Sequence, residues 1–250
     1  MTEEGQYIYA IIESDQDRSF GIRGIGEGNN EVHTVRYGDV GAVVSRSPVS
    51  EYPVTRANTM AHQKVMEEVM KEFPMLPVRF GTVADGTERI VEKLLKGRDK
   101  ELRETLHYMR DKVELGLKVM WKDMPSVFQE VAAENADIGR LRERLMKRRG
   151  GVQRDQVRLG EMVKTGLEAR KKREQEAILG QLDGLWVDRK KGRPFGDQMI
   201  LNAAFLIEKK KESAFDTAVE KLADACDGKM LFKYVGPIPP CNFIEIVVKW

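Results

Sequence analysis

The sequence predicts an α+β fold in two domains: a ferredoxin-like sandwich over residues 1–123, then a second α+β domain over 124–250 that contains long helices. Three observations carry this expectation. The 250 residues exceed the roughly 100–200 of a typical domain. Both ends of the chain alternate between strand-like and helix-like apolar periodicity. Between them, over 126–183, the chain is polar and its apolar residues fall in narrow helical stripes, as in a helical hairpin or short coiled coil.

The elements follow in order. Residues 7–12 (Tyr-Ile-Tyr-Ala-Ile-Ile) are apolar on both faces, as expected of a central strand covered on each side. A Gly/Asn-rich stretch, 21–30, reads as a loop. Residues 32–37 and 41–44 flank Gly38-Asp39 as a hairpin. After Pro53 the period becomes helical, with His62, Val65, Met66, Val69, Met70 and Phe73 on one face. Residues 76–83 read as a strand, and Asp85-Gly86-Thr87-Glu88 as a capping box. Ile90, Val91, Leu94 and Leu95 form a helical face, continued from Asp99 through Leu102, Leu106 and Met109. Residues 113–121 should close the first domain as a strand.

In the second domain, Ile138, Leu141 and Leu145, then Leu159, Met162, Val163 and Leu167, then Ile178, Leu179 and Leu182 mark the helices. Residues 199–207 read as a buried strand. Ser213 and Asp216 suggest a capping box before Phe215, Ala218, Val219 and Leu222. Residues 230–235 and 243–248 read as strands around Gly236-Pro237-Ile238-Pro239-Pro240, whose prolines suit a rigid loop or a sheet edge.

Composition narrows the function. A 41% hydrophobic share supports a core and excludes wholesale disorder. The apolar run at 199–207 is broken by Asn202 and is much shorter than the ~20 residues of a membrane-spanning helix. The acidic N-terminus has no apolar segment of the secretory kind, so a cytoplasmic protein without a membrane partner is expected. Cys226 and Cys241 are too few for a disulfide scaffold. The net charge of +2 divides into −3 over 1–123 and +5 over 124–250. The basic run at 140–149 spreads around a helix axis and fits a solvated face or an acidic partner better than nucleic acid.

Catalytic signatures are missing: there is no GxSxG, HExxH or GxxxxGK[ST]. The glycines at 21, 24, 26 and 28 miss the GxGxxG pattern at Asn29 and precede no helix. His33, His62 and His107 have no cysteine at zinc-ligand spacing, so neither metal nor cofactor is expected. His62, on an apolar helix face, reads as a buried histidine bonded to backbone or to a polar neighbour. Val78-Arg79-Phe80-Gly81-Thr82-Val83 shares only its basic residue and one aromatic with the RNA-recognition strand pattern. The proline segment reads equally as a stiffener and as a contact surface that loses little entropy on binding.

Several separated motifs together resemble the gas vesicle F/L protein family. They are residues 7–12, Gly38-Asp39-Val40-Gly41-Ala42-Val43-Val44-Ser45, His62, Leu76-Pro77-Val78-Arg79-Phe80-Gly81-Thr82-Val83, Leu201-Asn202-Ala203-Ala204-Phe205-Leu206-Ile207 and Gly236-Pro237-Ile238-Pro239-Pro240-Cys241-Asn242-Phe243. The resemblance runs from Tyr7 to the C-terminus in the same order. It implies a non-enzymatic accessory or minor structural protein of the hollow gas vesicle shell, cytoplasmic and vesicle-associated. Its partners would be the small apolar shell subunit and other accessory proteins.

The residues expected to contact a partner or shape the fold are Arg79, Phe80 and Gly81, with Gly236, Pro237, Pro239, Pro240 and Phe243 of the tail at 236–250. Arg79 should pair with a carboxylate, and Gly81 should stand where a backbone comes close. The family often carries Trp and Tyr where this chain has Ile238 and Cys241, so the contact here should be weaker or differently tuned. The alternatives are a ligand-binding or enzymatic cleft between domains near His62, and an RNA-binding ferredoxin-like domain assisted by the 140–149 helix.

Overall fold

The computed structural model describes residues 4–26, 30–147 and 153–250. Gly28 and Asn29 of the glycine cluster, Arg148 and Arg149 at the end of the basic run, and Gly150 and Gly151 after it lie outside the described residues. The chain forms two compact units. The first comprises Met1–Leu115, Leu206–Lys209 and Gly236–Trp250; the second comprises Gly116–Phe205 and Lys210–Val235. A single cut at 123/124 therefore does not separate them: the first unit ends earlier and takes back two later segments.

The first unit is built on an antiparallel sheet ordered β2-β3-β4-β1-β5, with β6 also paired to β1. Its strands are β1 (Glu4–Glu13), β2 (Ser19–Arg23), β3 (Glu31–Tyr37), β4 (Val40–Pro48), β5 (Met75–Pro77) and β6 (Val83–Ala84). The register of β1 against β4 shifts between Ile8 and Ala10. The extra residue lets Tyr7, Tyr9, Ala10 and Ile12 share one core while Ile8 and Ile11 enter the other. Helix α1 (Arg56–Met70) covers the tyrosine side with Val65, Met66 and Val69. Its N-cap is Thr55, whose side chain accepts the Asn58 N–H at 3.2 Å.

The opposite core is filled from α2 (Thr87–Arg89), the π-helical segment Ile90–Lys96 that continues it, and α3 (Asp99–Met109). Tail residues Phe243, Ile244, Ile246 and Val248 join this core. Helices thus cover both faces of the sheet, as the doubly apolar β1 requires. A ferredoxin-like sandwich keeps its helices on one face, so that detail of the expectation is not confirmed. The strand expected at 113–121 forms as β7 (Lys112–Trp121), but it pairs in a second sheet.

Other local expectations change for identifiable reasons. The predicted loop at 21–30 begins within β2, which pairs with β3. The predicted strand at 76–83 is split by a turn. Neither capping box forms: Asp85 is occupied by Arg89 and Asp216 by the Tyr234 hydroxyl, leaving those helices without a side-chain cap. The predicted last strand makes only one parallel bridge, Val78 to Ile246.

The second unit includes three helices, α4 (Met124–Glu134), α5 (Ala136–Lys147) and α6 (Gln153–Gln181), which pack on one another. Their buried residues are few, Val127, Val131, Ile138, Leu141, Leu167 and Ile178, as the narrow stripes predict. The Arg170 guanidinium, 13% exposed, bonds Glu130, Glu134 and Glu174 and ties α4 to α6. Strand β8 (Asp188–Lys191) was not apparent in the sequence because all four of its residues are charged. Strands β9 (Met199–Glu208) and β10 (Met230–Ile238) complete a sheet ordered β10-β7-β9-β8. Helix α7 (Glu212–Ala225) sets Phe215 against Phe205, with ring centroids 5.2 Å apart.

Candidate partner-binding surface

The turn at 79–81 and the C-terminal tail lie far apart in sequence, yet the main chain joins them. The Arg79 N–H donates to the Ile246 carbonyl at 3.0 Å, and the Ile246 N–H donates to the Pro77 carbonyl at 2.8 Å. Arg79 Nε and Nη2 both donate to one Glu245 carboxylate oxygen, at 2.9 and 2.8 Å. Glu245 is thus the carboxylate that the sequence could not name. Both side chains remain about half exposed, which keeps the guanidinium available and the ion pair worth only about 0–1 kcal/mol.

The turn has a definite geometry. The Thr82 N–H reaches the Arg79 carbonyl at 3.3 Å, and Gly81 has φ 80°, as position three of a type II turn requires. A Cβ on Gly81 would meet nothing within 4 Å. The expected close backbone approach is therefore absent, and the need for glycine is conformational. Phe80 is half-buried in a ring cluster with Tyr7 and His62, at centroid distances of 6.4 and 5.6 Å. That packing removes it as a base-stacking platform.

His62 lies within this cluster, 5% exposed. Its Nδ1 is 3.0 Å from the Tyr7 hydroxyl. Desolvation lowers its pKa from 6.5 to about 4, against a smaller opposing contribution from the Val78 backbone. A neutral histidine this enclosed is the buried, bonded residue expected from the sequence.

The tail divides into exposed and buried parts. Gly236 and Pro237, joined by a cis peptide, are exposed, whereas Pro239 and Pro240 are buried. Phe243 is half-buried against the core. Gly236 has φ 142°, and a Cβ there would come within 2.5 Å of Leu115 Cδ2 and 3.0 Å of the Glu114 carbonyl. Of the eight residues expected at the site, Arg79, Gly236 and Pro237 are thus the exposed ones, Gly236 being also constrained by its backbone, while Phe80, Gly81, Pro239, Pro240 and Phe243 are half-buried or buried.

One residue beneath the tail, Glu114, was not singled out from the sequence. Glu114 is fully buried, and its carboxylate accepts the Asn242 backbone N–H at 3.0 Å and an Asn242 side-chain N–H. Burial raises its pKa, opposed by those two bonds. A lone acid in the apolar run Val113-Glu114-Leu115 was the available signal. Cys241 is exposed as a residue, but its sulfur is desolvated and near Glu114 and Glu245, which pushes the thiol up to about 11. That thiol is a poor nucleophile at neutral pH.

Among the described residues no cluster of His, Cys, Asp or Glu is arranged to hold a metal ion, and no helix is long and apolar enough to cross a membrane. The basic residues of α5 surround its axis, with Ile138 and Leu141 buried and Arg140 paired to Asp137.

The fold is that of a gas vesicle protein. A crystal structure of the gas vesicle protein GvpF from Anabaena sp. PCC7120 matches 97% of this chain and 99% of its own, with a TM-score of 0.86 and 25% identity. The Microcystis aeruginosa GvpF crystal structure shares the fold, with a TM-score of 0.79 over 96% of this chain and 98% of its own. Gas vesicle protein F of Streptomyces sp. strain CB03234 is 29% identical over 240 residues, covering 96% of this chain and 99% of that protein. Gas vesicle protein F1 of Halobacterium salinarum is 27% identical, covering 97% and 94%. The family model described as gas vesicle synthesis protein GvpL/GvpF matches residues 5–245, and the chain belongs to that family. Membership gives it a role in gas vesicle formation, in a family not known for enzymes.

Proposed function

We propose that this protein binds the small apolar shell subunit of the gas vesicle before assembly and escorts or anchors it during shell growth, in the cytoplasm and at the vesicle. The physical rationale is that an unassembled apolar subunit exposes aggregation-prone surface, which a soluble partner can cover. The observation that carries the reading is the joining of the 79–81 turn to the tail by paired main-chain hydrogen bonds. It holds together motifs that are separate in sequence, with the Arg79 guanidinium exposed beside Glu245. Preorganised elements of this kind lose little entropy on docking.

The sheet of the second unit offers a further element of the same chemistry. Its two edges differ: β8 carries Asp188, Arg189, Lys190 and Lys191, which discourage pairing, whereas β10 exposes Leu231 and Val235 with only Lys233 between them. An extended apolar segment could add to β10 as a further strand.

Co-purification of the tagged protein with the shell subunit, in low and high salt, tests the reading. Capture that survives high salt supports apolar docking. Capture lost with salt assigns the contact to the charged helices instead, and no capture in either buffer removes the direct escort.

A further inference from the structure

The turn at 79–81 is also held from beneath by a chain of buried hydrogen bonds. The Gly81 N–H donates to the Tyr7 hydroxyl at 2.9 Å, and that hydroxyl lies 3.0 Å from His62 Nδ1. Tyr7 is fully buried on β1 and His62 nearly so on α1. The tyrosine oxygen, already accepting from Gly81, has its proton free for the ring. Donating that proton to an unprotonated Nδ1 leaves the ring's own proton on Nε2, an assignment consistent with both bonds. The adjacent Val78 backbone favours a proton on the ring, as a carbonyl acceptor does. The histidine thus connects to both sides of the turn, to Val78 before it and, through Tyr7, to Gly81 within it.

We infer that Tyr7 and His62 are positioning residues that fix the Arg79–Phe80–Gly81 turn in its presented geometry, a role that rests on the turn being a partner contact. Stability alone does not call for this arrangement. Two apolar side chains of similar shape could fill the space at little or no loss, whereas a buried polar pair needs every partner in place. What the pair adds is direction: the Gly81 amide must point at one oxygen. The tether matters because the turn lies between β5 and β6, and its other main-chain anchors, Arg79 N–H to the Ile246 carbonyl at 3.0 Å and Ile8 N–H to the Thr82 carbonyl at 2.9 Å, lie on either side of Gly81.

The test uses Tyr7→Phe, which removes one oxygen and keeps the ring, read by amide hydrogen exchange and by shell-subunit capture. Exchange at Gly81 should accelerate about tenfold or more, while exchange at Val43 in the central ladder stays within about twofold. Capture of the shell subunit should weaken in the same variant. Unchanged exchange at Gly81 overturns the inference. Faster exchange with undiminished capture supports the tether and rejects the turn as the contact, so the two ideas fail separately. If Tyr7→Phe does not fold, nitrogen-detected spectra of the wild-type His62 ring decide. A neutral ring protonated on Nε2 through pH 6–8 supports the chain, and a proton on Nδ1 overturns it.

Discussion

Replacing Asn242 with Ala isolates the buried carboxylate beneath the tail. Asn242 supplies both hydrogen bonds described for Glu114, one from its backbone and one from its side chain. The substitution keeps the backbone bond and removes the side-chain donor from a carboxylate that is fully buried. A hydrogen bond to a charged group contributes about 1.5–3 kcal/mol. Because Asn242 is exposed, water can enter behind the shortened side chain, which places the expected loss near about 1.5–2 kcal/mol at pH 8.

The loss should depend on pH in a definite sense. The folded-state pKa of Glu114 is already raised, so the folded protein binds its proton more readily than the unfolded chain, and stability falls as pH rises through that window. Removing a bond that favours the anion raises the folded pKa further. The variant should therefore differ most from wild type at pH 8 and least at pH 5. Urea denaturation of both proteins at pH 5 and pH 8 measures this. A loss below about 0.5 kcal/mol at pH 8, or one of equal size at both pH values, would refute the reasoning.

Three further outcomes are expected. Gly236→Ala should destabilise by about 2–4 kcal/mol, since positive φ and the clash with Leu115 act together, whereas Gly81→Ala, strained only by φ, should lose about 1 kcal/mol; thermal melts compare them. Arg79→Ala should change stability by less than about 1 kcal/mol in denaturant titrations, because its pair with Glu245 is half exposed. His62, with a folded pKa of about 4 against 6.5 unfolded, contributes stability that is complete above pH 6.5 and is lost as pH falls through 4; the difference is about 3 kcal/mol, and the steepness of acid unfolding between those values should be smaller in His62→Leu.

What the sequence made legible was what periodicity and local chemistry control. The double apolar face of residues 7–12 announced a strand covered on both sides, and α1, α3 and α7 follow their apolar spacing. The narrow stripes of the middle segment announced sparsely buried helices. What it concealed depends on long-range pairing. Nothing local shows that 113–121 joins a second sheet, or that the tail returns to the first unit through Ile246. Charged β8 has no strand pattern to read. The same division applies at the site. His62 was recognisable as a buried histidine, but its Tyr7 partner is 55 positions away, and Arg79 and Glu245 are 166 apart. Pro239 and Pro240 read equally as a stiffener and as a contact surface, because burial of a proline loop leaves no signature in composition.

The escort role is tested most directly by diluting the denatured shell subunit into buffer with and without this protein and recording light scattering, followed by size exclusion of the soluble fraction. The account predicts that near-stoichiometric protein suppresses scattering and elutes together with the subunit in high salt. Undiminished scattering, with the two proteins eluting separately, would contradict it.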